Sequence, residues 1–129
     1  MSIIRLDSPT KLARKLLWTN PNPSQAFASQ TVQTPGLLNY DEVWVYVKGH
    51  ISYPNGSLHK VITHTGANVP AVWVGMSASW SYIWQREINA YQQNIAFSDA
   101  FTKNLLNTAA ATVDNDRLVP YQVYGVNYS

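Results

Sequence analysis

Apolar and polar side chains alternate along most of this chain with a period near two, the spacing of strands rather than helices. In Val43-Trp44-Val45-Tyr46-Val47 three valines fall on one side and two aromatics on the other, which predicts a central strand covered on both faces. The same reading gives strands at residues 14–19 and 26–34, and one ending at Ile51 to Tyr53 before the turn Pro54-Asn55-Gly56. A return strand follows from Leu58 to Thr65, then a turn at Gly66-Ala67-Asn68 and a strand over Val72 to Met76. Trp80 to Asn89 is expected extended, with Trp80, Tyr82 and Trp84 on one face and Ser81, Ile83, Gln85 and Glu87 on the other. After the polar turn Gln92-Gln93-Asn94 come an extension from Ile95 to Thr102 and an irregular insertion or short helical turn over 103–112. A turn at Asp114-Asn115-Asp116 leads to a closing strand from Leu118 to Val126, with Val119, Tyr121 and Val123 on one face. About eight strands spaced by turns predict an all-β fold, a β-sandwich of jelly-roll type. Leu12, Lys15 and Leu16 are also compatible with a short helix over Lys11 to Trp18.

Where the alternation fails it is informative. Leu17-Trp18-Thr19-Asn20-Pro21-Asn22-Pro23 places two prolines within three residues, fixing two φ angles and removing two backbone donors. Asn20 and Asn22 precede prolines and are pushed toward extended geometry. A rigid bend is expected there, with Trp18 and Phe27 pinning it from either side.

With 129 residues the chain reads as one body, residues 15–129, behind an N-terminal arm or linker at 1–14. The net charge of +2 hides an asymmetry. Arg5, Lys11, Arg14 and Lys15 against Asp7 leave the first fifteen residues at +3, whereas five basic and six acidic residues leave the remainder at −1. A near-neutral body offers no cationic stripe for nucleic acid. No run reaches the eighteen or so apolar residues of a membrane span, and charges interrupt the first seventeen residues too often for a signal peptide. A soluble protein without membrane insertion is expected.

Candidate chemistry is sparse. The absence of cysteine removes disulfides, thiol nucleophiles and thiolate zinc sites. His59 and His64, five apart, face opposite ways on a strand, and His50 stands apart from them, so no metal site is expected. Asp41 and Glu42 would point to opposite faces; Asp114 and Asp116 sit in a turn, where Asp satisfies its own backbone. No local pair of carboxylates announces glycoside hydrolysis, and there is no G-x-S-x-G and no phosphate-cradling glycine loop. The chain reads as a non-enzyme without catalytic residues or cofactors.

Aromatics remain. Five tryptophans and eight tyrosines accompany only 12% charged residues. Trp73, Trp80, Tyr82 and Trp84 fall within twelve positions, with Asn55, Asn68, Ser79, Ser81 and Gln85 as amides and hydroxyls nearby. Flat rings for the C–H face of a sugar and polar groups for its hydroxyls are the composition of a glycan site. Trp73, Trp80, Tyr82, Trp84 and Asn55 are the candidate ligand-binding residues. The same rings are also suited to a core or a subunit interface.

Two blocks of the sequence resemble a known family. One is Leu17-Trp18 with Asn20-Pro21-Asn22-Pro23, then Phe27-Ala28-Ser29-Gln30-Thr31-Val32 and Tyr40-Asp41 leading into Val43 to Val47. The other is Arg86-Glu87-Ile88, Ile95-Ala96-Phe97, an Asn/Asp-rich loop and Leu118-Val119-Pro120-Tyr121-Gln122-Val123-Tyr124-Gly125-Val126. Together they resemble the C-terminal tip domain of bacteriophage tail fibres and receptor-binding proteins. The resemblance implies a compact β-sandwich in the virion tail, made in the host cytoplasm. It also implies assembly as a homotrimer alongside other phage tail proteins, and contact with a bacterial cell-surface glycan. A purely structural tail module, a trimerising cap or baseplate spacer, is the alternative; a polysaccharide depolymerase would need converging carboxylates. The resemblance lapses over residues 50–85, where variable ligand-contacting loops are expected. Pro120-Tyr121 is expected to be structural, a proline opening an edge strand and an aromatic facing the core.

Overall fold

The computed structural model describes residues 12–54, 59–62, 65–76, 81–106 and 108–128, and they form an all-β sandwich. Ten strands are present among them: β1 (Leu12–Thr19), β2 (Gln30–Gln33), β3 (Glu42–His50), β4 (His59–Ile62), β5 (Thr65–Met76), β6 (Ser81–Tyr91), β7 (Asn94–Phe97), β8 (Phe101–Asn104), β9 (Thr112–Val113) and β10 (Arg117–Tyr128). The helical element among the described residues is one 3-10 turn, Leu37–Asn39. One sheet has the order β1-β10-β3-β4 and the other β2-β7-β6-β8-β9, with β5 along the remaining side of β6; every pairing is antiparallel. Leu12 to Trp18 is strand, not helix, and Leu12 to Arg14 of the expected arm belong to it.

Val43, Val45 and Val47 do share a face, and all three are sealed in the core with Val119 and Val123 of β10. Ile88 and Ala90 of β6 and Ile95 and Phe97 of β7 close on them from the second sheet. Each large apolar side chain of this kind contributes about 1.5–3 kcal/mol on burial. Trp44 and Tyr46 face outward, half-buried beneath an aromatic layer. Tyr46 meets Tyr121 and Tyr124 at 6.0 and 5.5 Å, and the Arg14 guanidinium lies 4.8 Å over Tyr124 while donating to the Tyr46 hydroxyl at 3.0 Å.

The Asn/Pro corner is a bend, as its composition predicts, and its anchors are polar. Buried Asn20 donates through Nδ2 to the Pro120 carbonyl at 2.8 Å, and its Oδ1 accepts from the Asn22 N–H at 2.8 Å. Lys48 donates to the carbonyls of Pro23 and Ile51 at 2.8 and 3.1 Å. Trp18, Phe27 and Phe97 then pack as a three-ring cluster with centroids 5.4–6.0 Å apart.

Several expectations are corrected. The second strand is only Gln30–Gln33, because the Phe27 N–H pairs with the Asn115 carbonyl in a loop that drops the ring into the core. The turn at Gly66-Ala67-Asn68 is instead an irregularity inside β5, with Gly66 at φ 84°. The extension from Ile95 to Thr102 is split at Ser98 to Ala100 into β7 and β8. β10 lies between β1 and β3 and is not an edge. Its register shifts between Pro120 and Gln122, which accommodates the proline and sets Tyr121, buried at 9% exposure, against Tyr46 on the sheet's aromatic side rather than in the core cluster with Val119 and Val123.

Candidate functional site

Period-two geometry puts Tyr82 and Trp84 on the same side of β6, where their rings stack at 6.0 Å and 20°. Strand register brings Thr102 of β8 opposite Trp84. The turn after β9 then delivers two charged groups to the same place. Asp114 Oδ2 accepts from the Thr102 hydroxyl at 3.1 Å, and the Arg117 guanidinium lies 4.5 Å over the Trp84 ring. Tyr82, Trp84, Thr102, Asp114 and Arg117 line an open groove of about 470 Å³. A cation over an indole contributes about 0.5–2 kcal/mol, which holds Arg117 against the Trp84 ring.

Trp84 is 9% exposed and is mostly core, covered by Tyr82 on one side and Arg117 on another. The half-buried Tyr82 ring, the guanidinium, the carboxylate and the hydroxyl are what a ligand would meet. An aromatic face, paired donors and acceptors, and a trough wide enough for a sugar ring form a set suited to saccharide recognition. Asp114 is the one carboxylate among the described lining residues.

Behind the groove Arg86 is 1% exposed. It donates to the carbonyls of Leu118 at 2.9 Å, Ser98 at 2.6 Å and Arg117 at 3.2 Å, fastening β6 to the start of β10. Leu118 sits at φ 49°, a conformation costly for a bulky residue, and the guanidinium holds its carbonyl there. Burial lowers the Arg86 pKa to about 10, opposed by the charge of Asp99. Asp99 is itself lowered, first by the Ser29 N–H and then by the Asn115 amide.

Of the candidate residues, the groove unites Tyr82 and Trp84. Trp73 pairs with Trp84 in register, but its ring lies against Gly49 of the facing sheet and 6.0 Å from Tyr53, and it is 39% exposed. Asn55 and Trp80 lie outside the described residues. Thr102 and Arg117 carry no signal in the sequence, and Asp114 reads there only as a turn residue: no local spacing relates the 114–116 turn to Tyr82. Among the described residues no three His, Cys, Asp or Glu side chains gather to hold a metal.

A second feature also escaped the sequence. Val72, Val74 and Met76 project from the outer face of β5 and are 44, 46 and 72% exposed. On the same face one row runs from Val72 through Gln85 of β6 to exposed Phe101 of β8 and Val113 of β9, and the next from Val74 through Ile83 to Lys103. The apolar patch thus lies on the face of β6 opposite Tyr82 and Trp84.

In comparison with known proteins, no family model, no curated protein and no solved structure gives a significant match.

Proposed function

We propose that this protein is the host-recognition domain of a bacteriophage tail fibre and holds a bacterial surface polysaccharide in the Tyr82–Trp84 groove. The observation that carries the reading is the stacked aromatic pair opening beside Arg117, Asp114 and Thr102. The sequence blocks around the Asn/Pro corner and the closing strand support the phage assignment, which places the protein in the virion tail. Binding by surface fit needs no turnover, and Asp114, the one carboxylate among the described lining residues, lacks the partner that two-carboxylate hydrolysis uses. The test is binding of the full chain to purified capsular, O-antigen and teichoic-acid polymers. Arg117→Ala and Asp114→Asn, both folded by circular dichroism, should weaken binding to the polymer that wild type retains by about tenfold. Equal binding by both variants, or no polymer retained by wild type, refutes the reading.

A structural tail module is the second reading, favoured by the apolar face of Val72, Val74, Met76, Phe101 and Val113. Patches of this kind mark interfaces. That face is the proposed contact in a homotrimer or with another tail protein, and it leaves the groove on the other side of the sheet open.

A further inference from the structure

We propose that the far end of β6, on the sheet's outer face, carries a second saccharide subsite specific for neutral sugars, in a hollow beneath Tyr91. This inference does not depend on the reading of the Tyr82 groove. The hollow has a volume of about 460 Å³ and is lined by Thr31, Gly66, Asn89, Tyr91, Asn94 and Ala96. Register sets it out: Thr31, Ala96 and Asn89 form one row across β2, β7 and β6, with Asn94 and Tyr91 in the next. The small Ala96 side chain makes the floor.

The irregularity in β5 prepares the site. Asn89 Nδ2 donates to the Gly66 carbonyl at 2.7 Å and to Asn68 Oδ1 at 3.0 Å, which fixes the orientation of the amide. Its Oδ1 is left buried and without a donor, and so is Oδ1 of Asn94. A buried acceptor without a partner costs about 1–3 kcal/mol, and here two of them belong to residues that line one hollow. Rotating the Asn94 amide would present its Oδ1 to a hydroxyl entering it, and Asn89 would follow by exchanging its bond to Asn68 for one to that hydroxyl. Tyr91 is 59% exposed and its ring is seated over Gly66, ready to cover the C–H face of a pyranose. Sugar hydroxyls both donate and accept, so they match the asparagine oxygens and the Thr31 hydroxyl together. No charged side chain is among the described lining residues, which selects a neutral hexose or N-acetylhexosamine over a uronate or phosphate. A peptide strand is disfavoured, because the hollow lies on a sheet face where the backbone of β6 is already paired on both sides.

The test is titration of the ¹⁵N-labelled full chain with the methyl glycosides of glucose, galactose, mannose and N-acetylglucosamine, with methyl glucuronoside and a polyalanine peptide as comparisons. At least one neutral glycoside should shift the Asn89 and Asn94 side-chain amide signals saturably. Ala96→Leu, which fills the floor, and Tyr91→Ala should each weaken that binding by about tenfold or more while leaving the remaining spectrum intact. The proposal is overturned by shifts with glucuronoside or peptide alone, by undiminished affinity in the Ala96→Leu variant, or by no saturable shift of either asparagine. Shifts confined to the Trp84 indole overturn it too, yet leave the Tyr82 groove standing.

Discussion

Replacing Arg86 sets two large effects against each other. The side chain is 1% exposed and places a guanidinium where water does not reach, 5.4 Å from the Phe27 ring. Burying that charge costs several kcal/mol, which methionine would relieve at similar volume. The same substitution strips the donors from the carbonyls of Ser98, Leu118 and Arg117. At about 1–3 kcal/mol for each abandoned carbonyl, the loss is about 3–9 kcal/mol. The second effect wins, and Arg86→Met should destabilise the fold by a net of about 2–4 kcal/mol. Arg86→Lys should fare no better: it keeps a buried charge but cannot fork to three carbonyls on two separate segments. Urea unfolding followed by fluorescence measures the change, with an unaltered m-value confirming that the denatured state is the same. In a chain of this size the midpoint of thermal unfolding should fall by about 10 °C. A methionine variant within about 0.5 kcal/mol of wild type would refute the reasoning, since the carbonyls would then have found other donors.

Three further outcomes are expected. Asp99 has its pKa held down by the Ser29 N–H and the Asn115 amide, so the unfolded chain binds its proton first; stability present above the unfolded value of about 3.9 is lost as pH falls through the lower folded value, and Asp99→Asn should flatten that part of a urea-midpoint profile. Gly49→Ala should cost about 1–3 kcal/mol, because its Cβ would stand 1.6 Å from Trp73 Cζ3; the ring must leave, and near-ultraviolet circular dichroism would register it. Val74→Lys, on the exposed outer face of β5, should dissociate the proposed trimer in sedimentation velocity, whereas an oligomer identical to wild type, or a monomeric wild type, would exclude that face as the interface.

The strands that announce themselves are those whose two faces carry different classes of side chain. Val43 to Val47 and Tyr82 with Trp84 obey strict alternation, and their partition between faces was legible. What hid was everything decided across the chain. Phe27 enters the core from a loop because the carbonyl of Asn115, near the other end of the sequence, receives its N–H. Tyr121 changes sides because β10 slips by one position beside Pro120, and alternation has no sign for a bulge. Arg86 falls by alternation on the side of Trp84 and Ile88, but its charge hides that it is core, since only the backbone of other segments makes its burial tolerable. Two of the five groove residues were visible as aromatic spacing; the other three, Thr102, Asp114 and Arg117, arrive through register and the turn after β9.

The pairing of β1 with β10 has a mechanical consequence. Leu12 stands beside Tyr128, so both ends of the described body leave from one corner. Tension applied between those two points would act across the strands, along their cross-links, and open the zipper one rung at a time from that corner. A tether attached at either point alone transmits no such tearing load, and the body would hang from it as a pendant while the rest of the sandwich stayed unstressed.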